Sequence, residues 1–118
     1  MNVRIFVISH DQQRYNTVGD WYFEGEDLVI RVSKMENWRS EMLVALHKLV
    51  EVLLCKNDGV SQESADKFDT SHIESDEPGD EIDAPYRDQH CFAMAVERMV
   101  CAAMKMPWKE HDATVMKI

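Results

Sequence analysis

The segment WRSEMLVALHKLVEVLLC, from Trp38 to Cys55, is the longest stretch of the chain in which apolar residues recur at helical intervals. At about 100° per residue, these side chains form a broad stripe centred on Leu46. The stripe covers most of the circumference, which indicates a helix that is packed on more than one side. We therefore predict a long central helix here and expect the rest of the chain to pack around it.

Two polar side chains, His47 and Glu51, interrupt this apolar run. Because they are four residues apart, they lie on one face of the helix, one turn above the other. Burying a carboxylate is costly unless it is ion-paired, hydrogen-bonded or bound to a metal. The same spacing allows a helix to offer two ligands to one metal ion.

The residues before the central helix predict a small sheet. Apolar residues alternate with other side chains in Asn2–Ser9 and in Leu28–Val32, and Trp21–Phe23 is a shorter candidate strand. We expect two or three mostly antiparallel strands. A sheet of this size needs a helix packed against it, and the central helix is the obvious cover.

Two further helices are predicted after the central one. A short helix begins at Ser61 and ends near Phe68 or Asp69, and a long one covers Pro85–Met104. The tail, residues 112–118, is expected to fray. The prediction is thus an α+β fold, in which a small antiparallel sheet of two to three strands packs on two long helices and one short helix.

The segment TSHIESDEPGDEIDA, residues 70–84, is rich in acidic residues and contains one proline and one glycine. Such a composition predicts an exposed, flexible linker loop within a single domain of residues 1–118. The spacing of its acids does not match a calcium-binding EF-hand loop. These acids are a candidate partner-binding surface: Glu74, Asp76, Glu77, Asp80, Glu81 and Asp83.

The charge balance limits the classes of partner. The chain has 13 basic and 22 acidic residues and a net charge of −9. It lacks the basic surface that a phosphate backbone requires, so we expect no direct binding of nucleic acid. No apolar run is long enough for a membrane span, and the N-terminus lacks the features of a signal peptide. The odd number of cysteines without CxxC spacing predicts reduced thiols in a cytoplasmic protein: Cys55, Cys91 and Cys101.

A second pair of polar residues, His90 and Glu97, lies on one flank of the predicted helix Pro85–Met104. If the two long helices pack side by side, these groups can converge with His47 and Glu51. Imidazole and carboxylate ligands suit zinc, and also iron or manganese. The alternative is a buried network without metal, in which His47 pairs with Glu97 or His90 pairs with Glu51.

The sequence His47-Lys48-Leu49-Val50-Glu51 resembles the HExxH helix of zincin metallopeptidases. It resembles more closely the HELxE helix of small uncharacterised phage and prophage proteins. In those proteins a similar helix is followed by an acidic linker and by segments like three in this chain: Ala84–Arg87, His90–Ala93 and Val96–Arg98.

This resemblance, over roughly residues 3–108, implies a phage or prophage origin and brings no established activity. In a zincin-like arrangement, His47 and Glu51 would be metal ligands from the helix, and His90 would be a third. Glu97 would be a fourth ligand, or an acceptor that orients His90.

Lys48 is where the chain departs from the zincin pattern, because zincins have a general-base carboxylate at this position. A lysine ammonium cannot take a proton from metal-bound water. We therefore expect a structural or regulatory metal site rather than a peptidase. The alternative is an acidic interaction protein without metal, such as a phage inhibitor of a host nucleic-acid-binding defence machine. It would bind a basic host protein in the bacterial cytoplasm.

Overall fold

Three strands and four helices follow one another along residues 1–118, all of which the computed structural model describes. The strands are β1 (Val3–Ile8), β2 (Gly19–Glu24) and β3 (Asp27–Ser33). The helices are α1 (Trp38–Asp58), α2 (Gln62–Ser71), α3 (Arg87–Ala103) and α4 (Trp108–Met116). Short 3-10 turns at His10–Gln12 and Pro78–Asp80 complete the list of elements. The predicted α+β class is confirmed, with two longer helices, α1 and α3, and two shorter ones.

The sheet is mixed, so the prediction of an antiparallel sheet is wrong for one of its two pairings. The strand order is β1-β3-β2; β2 and β3 are antiparallel, whereas β1 and β3 are parallel, with Ile5 opposite Ile30. The tight turn at Gly25, where φ is +60°, fixes the antiparallel hairpin. β3 then inserts between β1 and β2, because its residues Leu28 to Val32 are buried on both faces apart from Arg31. Side-chain alternation does not reveal such an insertion.

The central helix forms as predicted and extends three residues beyond Cys55. At its start, the side chain of Asn37 accepts a hydrogen bond from the Arg39 amide at 2.9 Å. At its end, Gly59 adopts φ +75°, a left-handed conformation that glycine takes without a steric penalty. These local signals at both ends define α1.

Both sides of α1 are packed, as its broad apolar stripe predicts. It lies on β2 and β3 on one side and along α3 on the other. The main core lies between helix and sheet and includes Trp21, Leu28, Ile30, Val32, Val44, Ala45, Val52 and Cys55. A smaller cluster of Leu43, Cys101 and Met106 lies on the α3 side. The face with His47 and Glu51 is therefore enclosed.

The C-terminal residues form α4, so the prediction of a frayed tail is wrong. This helix has few apolar residues in the core, but His111 and Thr114 are buried. His111 hydrogen-bonds to Ser40 of α1 and to Glu97 of α3. Polar contacts of this kind leave no apolar periodicity in the sequence, which is why the pattern did not reveal the helix.

None of the four helices is both long enough and apolar enough to cross a membrane.

Replacing Ile30 by alanine tests the placement of β3 at the centre of the sheet. Ile30 is fully buried, whereas its partner Ile5 on the edge strand is 45% exposed. We expect Ile30→Ala to reduce the free energy of unfolding by about 2–5 kcal/mol, because a buried cavity forms. Ile5→Ala is the matched control and should cost much less. Equal losses of unfolding free energy in the two variants, measured by urea denaturation, would contradict the strand order.

Candidate metal centre

The packing of α1 along α3 brings together the four polar residues that the sequence singled out. His47, Glu51, His90 and Glu97 are 4%, 2%, 3% and 5% exposed. Two carboxylates and two imidazoles thus lie in the protein interior, where each charge must be compensated by a neighbour. The structure therefore buries all four predicted candidates where α1 packs along α3.

Three of these side chains each place one atom at a corner of a small triangle. His47 Nε2 is 3.1 Å from Glu51 Oε2 and 3.2 Å from His90 Nδ1, and His90 Nδ1 is 3.2 Å from Glu51 Oε2. Tetrahedral zinc, with ligands at about 2.0–2.1 Å, spaces them by about 3.3 Å. The triangle is therefore close to the size that a metal ion requires, and these residues could hold one.

Glu97 lies beside His47 and contributes no atom to this triangle. Its Oε1 is 2.7 Å from His47 Nδ1 and its Oε2 is 2.5 Å from His111 Nε2. It does not reach His90, because seven residues along a helix correspond to about 10 Å. Burial disfavours the charged carboxylate, but hydrogen bonds from His111 and His47 outweigh this effect and lower the pKa of Glu97. Glu97 is therefore an anionic acceptor for His47 rather than for His90.

His111 continues the network to α4. Its Nδ1 is 2.9 Å from Ser40 Oγ, and both residues are fully buried. His111 was not predicted as a site residue, because a single histidine in a short polar segment carries no periodic signal. The result is a continuous chain of hydrogen bonds from Ser40 through His111 and Glu97 to His47.

The second oxygen of Glu51 has its own partners. Oε1 accepts hydrogen bonds from the indole Nε1 of Trp21 at 3.1 Å and from Lys48 Nζ at 3.4 Å. Burial opposes ionisation of Glu51, but the Lys48 charge and the hydrogen bonds with His47 and His90 hold its pKa well below the usual range. Glu51 is therefore anionic, with Oε1 engaged and Oε2 directed at the two imidazoles.

These contacts also include the two pairings that were predicted as the alternative to a metal site. His47 is hydrogen-bonded to Glu97, and His90 to Glu51. Burial disfavours a charged imidazolium, but the hydrogen bonds with Glu51 and Glu97 outweigh it and raise the pKa of His47. The geometry thus accommodates either protons or a metal ion between these groups.

The acidic segment reaches the site through its 3-10 turn. Gly79 is buried against the ring of His90, and His90 Nε2 lies 3.1 Å from Asp80 Oδ1 and 3.7 Å from Glu77 Oε2. Neither carboxylate meets hydrogen-bond geometry with this nitrogen, which has no other partner. The flexibility of the segment stays a prediction, but one turn of it contacts the site.

A cavity of about 220 Å³ adjoins the two histidines and is also lined by Lys48. Asp69 lies on its wall and accepts hydrogen bonds from the hydroxyls of Tyr15 and Tyr86. Burial raises the pKa of Asp69. The contact between Tyr15 and α2 spans 54 positions of the chain, so no local sequence pattern reveals it.

Comparisons with protein-family models, with curated proteins and with solved structures find no match to this chain. The resemblance of the His47–Glu51 helix to zincin and phage helices therefore stays a prediction. The side chains and distances at this site are the basis for the function proposed below.

Neutralising Glu97 tests its role as the acceptor between two buried histidines. We expect Glu97→Gln to lower the free energy of unfolding by about 3 kcal/mol, because removing one partner of a buried pair leaves the others uncompensated. The exposed Glu110→Gln on α4 is the matched control. Chemical denaturation in a chelating buffer measures both variants without any contribution from metal. Similarly small losses of unfolding free energy in Glu97→Gln and Glu110→Gln would contradict the role of Glu97 as the acceptor between two buried histidines.

Proposed function

We propose that this protein binds one divalent metal ion through His47 Nε2, Glu51 Oε2 and His90 Nδ1. The observation that carries the proposal is the triangle of these three buried atoms, with sides of 3.1–3.2 Å. They come from two helices that are far apart in sequence, so their convergence is a property of the fold. The role of the metal is structural or regulatory rather than hydrolytic.

The hydrogen bonds around His47 and Glu51 support this assignment. Because Glu97 is the acceptor at Nδ1 of His47, a neutral ring would keep its proton on Nδ1 and leave the lone pair of Nε2 for a metal ion. Trp21 occupies Oε1 of Glu51 and leaves Oε2 available. Acceptor atoms that converge at this distance repel one another unless a cation or a proton lies between them. A carboxylate–histidine–metal arrangement satisfies all of these groups at once.

Two imidazoles and one carboxylate form a ligand set that suits zinc best, and iron or manganese also. Three protein ligands leave further coordination positions free, and the adjoining cavity provides space for them. A bound ion would supply a Lewis-acidic centre at this point.

Lys48 supports a role other than hydrolysis. It stands where a zincin-like helix carries its general base, and its ammonium contacts Glu51 at 3.4 Å. A lysine is a cation at neutral pH and offers no base to a water molecule. The resemblance to phage and prophage proteins further motivates the proposal that this is a small phage-type protein of the bacterial cytoplasm.

A second candidate function is an acidic interaction protein that binds a basic host protein without metal. It is favoured by the exposure of all six acids between Glu74 and Asp83 and of Ile82, which is 90% exposed among them. Charged groups around an exposed apolar residue are typical of the rim and anchor of a protein interface. Metal content distinguishes the two candidates.

Elemental analysis of the purified, untagged protein by mass spectrometry tests the proposal. We expect about one equivalent of zinc, iron or manganese in the wild type and its loss in His47→Gln, since a ligand is removed. His72→Gln, a histidine outside the triangle, is the matched control and should keep the metal. Absence of metal from the wild type, even after addition of zinc, would overturn the proposal and favour the acidic interaction protein.

Replacing Lys48 by methionine should have two effects of opposite sign. Without the ammonium next to Glu51, the metal-free protein should lose stability, because a buried carboxylate loses its counter-charge. The affinity for zinc should rise about tenfold or more, because a positive charge close to the metal is removed.

Thermal unfolding with chelator and a zinc competition titration measure the two effects of Lys48→Met separately. Lys67→Met, an exposed lysine on α2, is the control and should change neither quantity appreciably. Weaker zinc binding by Lys48→Met would show that the ammonium holds Glu51 in place for the metal instead of competing with it.

A further inference from the structure

The two nitrogens of His90 have different surroundings. Nδ1 belongs to the triangle with His47 and Glu51, each 3.2 Å away. Nε2 is buried without a hydrogen-bond partner, although Asp80 Oδ1 is 3.1 Å away and Glu77 Oε2 is 3.7 Å away. A buried polar atom without a partner is rare in folded proteins and calls for a physical explanation.

The acidic segment can lie this close to His90 because residue 79 is a glycine. A Cβ atom at Gly79 would lie 2.6 Å from Nδ1 and 2.9 Å from Cβ of His90, closer than real side chains approach. Only glycine lets the turn Pro78–Asp80 lie directly on the imidazole. On another side of the ring, Tyr86 packs edge to face, with ring centroids 6.3 Å apart. The position of His90 is therefore determined by its neighbours.

We propose that Asp80, assisted by Glu77, is a positioning residue that makes Nδ1 of His90 the metal-ligating nitrogen. A carboxylate beside Nε2 favours the tautomer with the proton on Nε2, and the lone pair of Nδ1 then points at Glu51 and His47. When metal binds, the 3.1 Å contact between Asp80 and Nε2 becomes a hydrogen bond, and Asp80 then does for His90 what Glu97 already does for His47. The inference rests on the proposed metal site and assigns two acids of the candidate partner surface to it.

Metal binding and the packing of the acidic turn then support each other. A metal on Nδ1 polarises the imidazole and makes Nε2–H a stronger donor to Asp80. This coupling is reciprocal: if the packed turn strengthens metal binding, then metal binding stabilises the packed turn. The amides of Asp80 and Glu81, which donate to the carbonyls of Glu77 and Pro78, report on this packing. Zinc should therefore slow their hydrogen exchange.

A zinc titration of Asp80→Asn against a chromogenic chelator tests the assignment. We expect a loss of about 10- to 100-fold in zinc affinity, the usual effect of removing an acceptor behind a histidine ligand, and a larger loss in Asp80→Asn combined with Glu77→Gln. Asp83→Asn, an exposed acid of the same segment that does not face His90, is the matched control and should bind zinc like the wild type.

Two further readouts separate positioning from a general effect on the fold. Zinc should protect the amides of Asp80 and Glu81 from hydrogen exchange in the wild type and in Asp83→Asn, whereas in Asp80→Asn the amides at these two positions should gain no protection. With cobalt(II) in place of zinc, the visible absorption bands should shift in Asp80→Asn and remain unchanged in Asp83→Asn. Gly79→Ala should also weaken zinc binding, because the added Cβ displaces the His90 ring.

The outcomes distinguish this inference from the proposed function. If the wild type binds zinc and Asp80→Asn binds it equally well, with the same exchange protection, the role of Asp80 is overturned and the metal site stands. If the wild type binds no zinc, the proposed function fails and the inference fails with it. Equal weakening by Asp83→Asn would also overturn the inference, because it would show a general effect of segment charge.

Discussion

The interface between α1 and α3 depends on one buried imidazole that has partners on both of its nitrogens. His47 contacts Glu97 of α3 at 2.7 Å and Glu51 of its own helix at 3.1 Å. A buried carboxylate without a partner is costly, so each of these acids requires the histidine where it is. A shift of one helix along the other would break the contact with Glu97, together with those that His90 of α3 makes with His47 and Glu51. This requirement fixes the relative position of the two longer helices.

The other elements contact the same centre through single residues. β2 contributes Trp21, whose indole donates to Glu51, and α4 contributes His111, which donates to Glu97. The acidic turn contributes Gly79, which packs on His90. The first two contacts satisfy the carboxylate oxygens that His47 does not reach, and the third packs on an imidazole ring. A cluster with so many fixed neighbours is preorganised, because no side chain of the triangle can turn away without losing a hydrogen bond or a packing contact.

The parts of the fold that local patterns encode were predictable from the sequence. Helical periodicity, the Asn37 cap and Gly59 identify α1, because these signals act within a few residues of one another. The parallel pairing of β1 and the existence of α4 were not predictable. The first depends on which strand takes the centre of the sheet, and the second on buried polar contacts between residues that are up to 71 positions apart.

The sequence by itself determined which residues could meet. The spacing of His47 and Glu51 places both on one face of α1, and covalent helix geometry guarantees this before any packing occurs. The tertiary structure alone decided which atoms converge, that Glu97 serves His47, and that the acids facing His90 are Glu77 and Asp80. The reason is physical: periodicity fixes directions around one helix axis, whereas distances between elements follow from how buried side chains of many elements fill a common volume.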